Sequence, residues 1–415
     1  MKRNILRASS AGVLAGGLIV VAGFVAVAAV APSVSYVRGE GAMTPEAEAP
    51  RPVSAHVATP ASVKAVYMSQ CVVGTPSFRD SIVGLVDDTE LNAIVIDIRD
   101  YTGKIAFPTE HPVLKDMVSD ECGAVDMKDF IQTLHDKDIY VIGRITVFQN
   151  PSYTKVHPEE AVQKACAHSA SSETCGVWKD HKGLAFVDVG AKPYWDTVVE
   201  LSKESYGIGF DELNYDYIRF PSDGDMKSAV YSWSQGKTKS EALEEFFRYL
   251  HEQVRPVGVK MSADLFGYVT VHEDDLGIGQ LLERALPYFD YIDPMVYPSH
   301  YNSGFAGLKN VNSDPYKVVY ASMAEAVQRT VATTTSIGSF AYQRIGTSTP
   351  AMYSKPSYPA SKMRPWLQDF DYPVEYTPAM VAAQIKANED AGLTSYLFWD
   401  PSNKYSSLKH VVSRE

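Results

Sequence analysis

From Val63 onward, short runs of β-branched and aromatic residues alternate with longer segments in which apolar residues recur with the period of a helix. The runs predict eight strands: Lys64–Ser69, Ala93–Ile98, Ile139–Val147, Gly209–Arg219, Gly258–Asp264, Phe289–Tyr297, Met363–Gln368 and Ser395–Trp399. The helical period predicts seven helices: Phe78–Thr89, Met127–Lys137, Tyr194–Ser205, Ser240–Val254, Gly279–Leu286, Pro315–Val331 and Pro378–Ala391. This alternation indicates βα units around a parallel sheet.

Eight strands and seven helices over about 350 residues predict a single (β/α)8 (TIM) barrel with long loop insertions, an α/β fold of this size. A doubly wound open sheet is the rival, but it usually has a Gly-rich turn after its first strand, and Cys71–Gly74 is not one. Three connections are longer than ordinary loops between strands and helices: Tyr101–Val125, Phe148–Gly190 and Ala332–Lys362. The first two follow strands directly, so we expect them at the carboxyl face of the barrel, where such folds build their sites.

Local signals mark the ends of several helices. Ser240 is expected to cap the helix that follows it, and Thr377, with the proline after it, to open the last helix. The acidic pair Asp274 and Asp275 has two interpretations. Either one carboxylate caps the helix that begins near Gly279, or the pair belongs to a solvated loop.

Residues 1–38 have the character of a leader. Lys2, Arg3 and Arg7 precede the nearly uncharged apolar run Ala11–Ala31, whose 21 residues match the roughly 20 that cross a bilayer. A secretory signal normally has a shorter apolar region. The pattern favours an uncleaved signal-anchor that tethers the protein to the membrane, with a cleaved signal as the alternative. In both cases the rest of the chain is expected outside the cytoplasm.

The remainder divides into a linker and a globular body. Residues 39–61 are rich in Pro, Ala and Glu without an apolar period, which predicts an extended linker, and residues 62–415 form the predicted barrel. The chain is 45% apolar and 21% charged, which excludes a disordered or coiled-coil protein. Its net charge of −12 is unfavourable for nucleic-acid binding, and we expect none.

Four cysteines suit an oxidising compartment. Cys166 and Cys175 enclose eight polar or small residues and form a plausible loop disulfide, which leaves Cys71 and Cys122 as the second pair. Four cysteines allow three connectivities, and four free thiols remain an alternative.

The most informative strand is the fourth. With a period of two, Leu213 and Tyr215 share the face that packs on helices, while Glu212, Asn214 and Asp216 share the interior face. A barrel interior tolerates such a polar row only if its members pair with one another or surround a ligand.

Two carboxylates at neighbouring strand ends are the predicted catalytic residues. Asp216 ends the fourth strand and Asp264 ends the fifth, and glycoside hydrolysis requires such a pair. The structural alternative for Asp216 is an ion pair with Arg219 or Arg144. Asp97, at the end of the second strand, is a third acid or a substrate clamp.

Aromatic and polar residues follow the last three strands. Flat rings there would supply faces for sugars, and the polar groups would bond hydroxyls, although any single Trp is as often core packing. The predicted substrate-binding residues are Asp97, Tyr297, His300, Trp366, Gln368, Asp369, Trp399 and Asp400, with Tyr301 near the same rim.

Other hydrolase signals are missing from the sequence. The ten histidines form neither H-x-H nor H-E-x-x-H, which argues against a zinc hydrolase, and G-x-S-x-G is absent. We therefore predict no metal and no cofactor.

Several of these segments together resemble the bacterial glycosyl hydrolase domain catalogued as domain of unknown function 4015. The matching phrases, in the same order, are Leu91–Asp97, Phe210–Pro221, Ser262–Gly267, Glu273–Gln280, Asp293–Tyr301 and Arg364–Phe370. The resemblance spans about Val63 to Asn403 and implies a glycoside-hydrolase-like TIM barrel without a known substrate. Departures include Asn214, where Gln is expected, and Asp293, where Ser is expected; neither is expected to touch the two acids.

The first functional hypothesis is thus an exported, membrane-tethered glycoside hydrolase that acts on a polysaccharide or oligosaccharide. The alternative is a barrel of the cell envelope that binds polysaccharide without cleaving it, because its acids are locked in ion pairs. A polysaccharide deacetylase is a third, weaker hypothesis, since the metal triad that it needs is not found in the sequence.

Overall fold

Eight parallel strands close into a barrel in the computed structural model, which describes residues 56–166 and 174–413. Every strand pairs with its neighbours in chain order, and the first pairs with the last, as Lys64 opposite Tyr396. The strands are β1 Lys64–Met68, β2 Ala93–Arg99, β3 Tyr140–Thr146, β4 Glu212–Asp216, β5 Lys260–Phe266, β6 Tyr291–Met295, β7 Trp366–Gln368 and β8 Tyr396–Trp399. The (β/α)8 prediction is confirmed, and the open-sheet rival is excluded.

Seven helices follow strands or the loops after them: α1 Pro76–Asp87, α2 Met127–His135, α3 Lys192–Ile208, α4 Lys239–Val254, α5 Leu282–Ala285, α6 Pro315–Val331 and α7 Pro378–Asp390. Two short helices, Gln70–Val73 and Pro151–Val156, lie in loops. One small sheet joins Gln163–Ala165, Thr174–Val177 and Ala229–Val230, and another joins Thr334–Thr335, Gln343–Ile345 and Met352–Ser354. The second of these lies in the long connection between α6 and β7, so that connection precedes a strand rather than following one.

The two faces of the barrel strands bury different sets of side chains. Along β2, Ile94 and Ile96 belong to the large apolar cluster that includes the helices, while Val95 belongs to a smaller cluster with Tyr140 and Ile142 of β3. Because side chains alternate along a strand, the smaller cluster fills the barrel interior. The predicted inward and outward faces follow this alternation.

One helix-end prediction is wrong, and one that left two interpretations open is decided. Thr238, and not Ser240, caps α4, because its hydroxyl accepts the Glu241 N–H while the Glu241 carboxylate accepts the Thr238 N–H. Asp274 and Asp275 accept backbone N–H groups two residues ahead, in the loop that precedes α5, and neither caps that helix, which begins at Leu282. The solvated-loop alternative is therefore the correct one. Thr377 caps α7 as predicted.

Within the described residues, no helix combines the length and apolar character needed to cross a bilayer. The predicted leader, residues 1–38, and most of the predicted linker lie outside the described part of the chain.

Both predicted disulfides are formed, Cys71–Cys122 and Cys166–Cys175. The alternative of four free thiols is wrong for this structure.

We expect the Cys166→Ser, Cys175→Ser double variant to lose about 2–3 kcal/mol of unfolding free energy, because its unfolded chain is no longer constrained by a closed loop. Urea denaturation of the oxidised wild type and the double variant measures this loss. Non-reducing peptide mapping of the wild type is the control, and detection of both thiols in free form would contradict the pairing.

Candidate active site

A cavity of about 720 Å³ lies at the carboxyl ends of the barrel strands. Parallel strands bring their last side chains together there, which is why residues far apart in sequence meet. Six predicted site residues line the cavity: Asp216, Asp264, Tyr297, His300, Trp366 and Trp399.

Arg144 of β3 lies at the centre of the acidic groups. Its Nη1 donates to Asp97 Oδ1 at 2.6 Å, its Nη2 donates to Asp216 Oδ2 at 2.5 Å, and its Nε lies 3.8 Å from Asp264 Oδ2. All four side chains are buried. The alternative interpretation of Asp216 as the partner of Arg144 is therefore correct about the contact, and Asp97 lies behind this arginine rather than among the residues that line the cavity.

Asp216 also accepts a hydrogen bond from the backbone of the next residue. Its Oδ1 accepts the N–H of Tyr217 at 2.5 Å. Tyr217 has a φ of 51°, in the left-handed region that a bulky residue rarely adopts, and this turns the chain directly after β4. Both oxygens of Asp216 thus accept hydrogen bonds from N–H donors, as befits a carboxylate anion.

Asp264 is only 1% exposed, and its nearest cationic atom, Arg144 Nε at 3.8 Å, donates no hydrogen bond to it. Its Oδ1 accepts Trp366 Nε1–H at 2.7 Å and Asn214 Nδ2–H at 2.8 Å, and its Oδ2 accepts no hydrogen bond from the described residues. Burial, followed by the charges of Asp216 and Asp293, holds the pKa of Asp264 well above its ordinary value. The expectation that Asn214 does not touch an acid is wrong, because the amide reaches across from the neighbouring strand.

A second arginine organises the layer below. Arg364 is fully buried; it pairs with Glu212 and donates to Asp293 Oδ2 at 2.8 Å. Burial raises the pKa of Asp293 to about 6, against the lowering effect of Arg364. The Glu212 and Asp216 carboxylates of the inward row of β4 therefore pair within the barrel. The Asn214 amide donates to Asp264, but its Oδ1 accepts no hydrogen bond from the described residues.

The aromatic rim has one half-buried member and several buried ones. The Trp399 ring stacks on Tyr67 with 4.0 Å between centroids, and the Arg144 guanidinium lies 5.1 Å from the Trp399 centroid. Trp366 is buried and edge-on to Trp399. Tyr301 also lines the cavity. Trp399 is thus the exposed face of this group.

A second cavity of about 840 Å³ adjoins the first, and Tyr297, His300 and Trp399 line both. Asp369 and Asp400 line the second one. Burial raises the pKa of Asp369 to about 7 and lowers that of His300.

Two predicted binding residues serve mainly the protein itself. The amide of Gln368 is fully buried, accepts the Ser299 hydroxyl and donates to the Phe370 carbonyl. The carboxylate of Asp400 accepts backbone N–H groups of Lys404 and Tyr405. Neither side chain is left free to bond a sugar hydroxyl in this conformation.

The structure also adds residues that the sequence reasoning did not place in the site. Arg144 and Arg219 line the first cavity, together with Tyr217, Tyr268 and Asn302. Arg144 carried a readable signal, since it is the one charged residue within the apolar strand Tyr140–Thr146 and shares its face with Tyr140 and Ile142.

The sequence model of a known family, described as "Putative glycosyl hydrolase domain" (domain of unknown function 4015), matches residues 65–405. The chain belongs to this family.

Solved structures share the fold of this glycosyl hydrolase domain. The PgaB (BpsB) glycoside hydrolase domain from Bordetella bronchiseptica is 13% identical, with 85% of this chain and 99% of that chain covered and a TM-score of 0.55. Alpha-L-fucosidase isoenzyme 2 from Paenibacillus thiaminolyticus is 10% identical, with 85% and 48% covered and a TM-score of 0.51. At these identities the likeness shows the barrel fold alone.

A hypothetical protein from Ruminiclostridium thermocellum ATCC 27405 is 31% identical, with 51% of this chain and 98% of that chain covered and a TM-score of 0.42. The search of curated proteins found no match.

Proposed function

We propose that this glycosyl hydrolase domain is a glycosidase that cleaves a polysaccharide, with Asp264 as the general acid and Asp216 as the anionic carboxylate. The observation that supports this assignment is the contrast between the two groups in one cavity. Asp216 accepts a hydrogen bond from Arg144 at 2.5 Å, whereas Asp264 is buried with a raised pKa, and Arg144 Nε lies 3.8 Å from it without donating a hydrogen bond. Carboxyl groups with environments that differ in this way are suited to opposite roles.

In the proposed reaction, the Asp264 carboxyl gives its proton to the glycosidic oxygen as the bond from that oxygen to the anomeric carbon breaks. Asp216 stabilises or attacks the positive charge that develops at the anomeric carbon. A water molecule then supplies its hydroxyl to that carbon, and its remaining proton restores the acid. The Trp399 ring supplies a flat apolar face against which a sugar can lie.

The non-catalytic alternative requires both acids to be locked in ion pairs. Asp216 meets this requirement, but the nearest cationic atom to Asp264 is at 3.8 Å and donates no hydrogen bond to it. This difference favours catalysis over binding alone.

We further propose that the protein is exported and held at the membrane by residues 1–38. The apolar run Ala11–Ala31 and the two disulfides support this placement, since disulfides persist in oxidising compartments.

The test of the proposed activity is a screen of the purified protein against bacterial polysaccharides, with release of reducing ends as the measurement. New reducing ends from at least one polymer are expected. Binding of a polymer without any release of reducing ends would instead support the binding barrel.

The proposed acid also predicts a pH dependence. Asp264 must be protonated, so kcat/KM falls as pH rises through its pKa. The Asp293 charge contributes to that raised pKa, and we expect Asp293→Asn to move this alkaline limb to lower pH by about one unit. Rate measurements across pH check the shift. Asp290→Asn, at an exposed carboxylate, is the matched control, and an unmoved limb in Asp293→Asn would exclude Asp264 as the acid.

A further inference from the structure

Arg219 is a buried cation in the wall of the first cavity. It follows β4 by three residues and is 7% exposed. Its Nη1 donates to the Phe220 carbonyl at 3.2 Å and to the Ser222 hydroxyl at 3.1 Å. Its other side-chain partner is the neutral Tyr217 hydroxyl, and none of the described carboxylates lies within 4.0 Å of its guanidinium. It therefore differs from Arg144 and Arg364, which both pair with acids.

Three aromatic rings surround the Arg219 guanidinium, and two of them lie within 5 Å of its central carbon. Its central carbon lies 4.6 Å from the centroid of Tyr217 and 4.8 Å from that of Phe266. Ring faces attract a cation and fix its plane, but they do not supply a counter-charge. Burial lowers the pKa of Arg219, which reflects the cost of keeping the cation out of water. A bound anion would offset this desolvation cost.

The other charged groups that line the cavity do not fill this role. Asp216 already accepts from Arg144 and from the backbone of Tyr217. Burial raises the pKa of Asp264 and lowers that of His300, which in both cases favours the neutral form. Among the described residues that line the cavity, Arg219 is the cation left without an anionic partner.

We propose that Arg219 forms a subsite for a carboxylate carried by a sugar, so that the preferred substrate is an acidic polysaccharide. This rests on the proposed function, since it names the substrate class of the same cavity. A guanidinium matches a planar carboxylate through two parallel N–H donors, and Nε and Nη2 form such a pair. The carboxylate can be C6 of a uronic acid or the acid of an ether substituent, as in muramic acid.

The experiment measures binding by calorimetry, without need of turnover, in the Asp264→Asn background. The probes are a uronic-acid oligosaccharide, its carboxyl-reduced counterpart of the same linkage, a muramic-acid-containing oligosaccharide and its N-acetylglucosamine counterpart. We expect one carboxylated probe to bind at least about tenfold more tightly than its neutral counterpart, and which one does so identifies the source of the carboxylate.

Arg219→Gln should abolish this preference and leave the affinity for the neutral probe within about twofold, while Arg219→Lys should restore part of it. Arg344→Gln, at an exposed arginine, is the matched control and should change neither value. Thermal melting of each variant shows whether it is folded. If the Arg219 variants do not fold, the comparison of carboxylated and neutral probes on the Asp264→Asn protein, which retains Arg219, still tests the preference.

Equal affinity for each pair of probes, no binding of either carboxylated probe, tighter binding of a cationic amino-sugar oligomer, or a preference that survives Arg219→Gln would overturn the subsite. Release of reducing ends by the wild type is scored separately. Hydrolysis without an Arg219-dependent preference would contradict the subsite and support the proposed enzymatic activity. The preference without hydrolysis would support the subsite and contradict the activity.

Discussion

We expect replacement of Asp264 by Asn to lower the rate of the proposed glycoside cleavage by about 100-fold or more, the contribution of a positioned general acid. The variant should remain folded. Its side-chain oxygen can still accept the Trp366 and Asn214 donors, and its amide nitrogen replaces Oδ2, which accepts no hydrogen bond from the described residues. Release of reducing ends and thermal melting, measured on the same sample, separate the loss of rate from a loss of structure.

Two comparisons make this result specific. Asp216→Asn should lose activity to a similar extent, because the charge that faces the transition state is removed. Asp274→Asn, which changes a loop carboxylate, should cost at most about 1 kcal/mol of stability and little activity. Undiminished turnover in a folded Asp264→Asn variant would assign the acid to another residue, and unfolding of either active-site variant would make that carboxylate structural.

We expect replacement of Arg144 by Met to lower the unfolding free energy by about 3–5 kcal/mol, because it removes one partner of a buried ionic cluster. Asp97 and Asp216 would lose their cation while both remain buried. Burial already raises the pKa of Asp97, and loss of the Arg144 charge would raise it further. The loss of stability should therefore be largest at neutral and alkaline pH and smaller at pH values where Asp97 binds a proton.

Chemical denaturation at pH 5 and pH 8 measures both parts of this expectation. Arg344→Met, at an exposed position, serves as the control and should change the unfolding free energy by less than about 0.5 kcal/mol. An Arg144→Met protein as stable as the wild type would show that the cluster contributes no net pairing energy.

The pattern of strands in the sequence was sufficient to predict the barrel and many of the residues of its site. A period of two places Asp216 and Asp264 on the inner face, and parallel neighbours bring their ends together, so both could be predicted to line one cavity. Apolar runs such as Ala93–Ile98 are readable because the strands are buried on both faces.

What could not be predicted depends on contacts between distant strands. The hydrogen bond from Trp366 to Asp264 joins residues 102 positions apart, and nothing in the sequence near either residue indicates it. The sequence around Gln368 would be the same whether its amide faced a sugar or a backbone carbonyl. Only the structure shows that the amide is buried and donates to a carbonyl. Thr238 and Ser240 are both good capping residues, and the Glu241 side chain decides between them.

The seam of the barrel lies between its first and last strands. Lys64 pairs with Tyr396, and Tyr67 of β1 forms the surface on which Trp399 of β8 stacks. Everything else in the cavity is encoded upstream of this last strand. During synthesis, therefore, a chain that has grown as far as β7 carries both acids but has neither a closed barrel nor the Trp399 ring, and its cavity is completed only when the final strand pairs with the first.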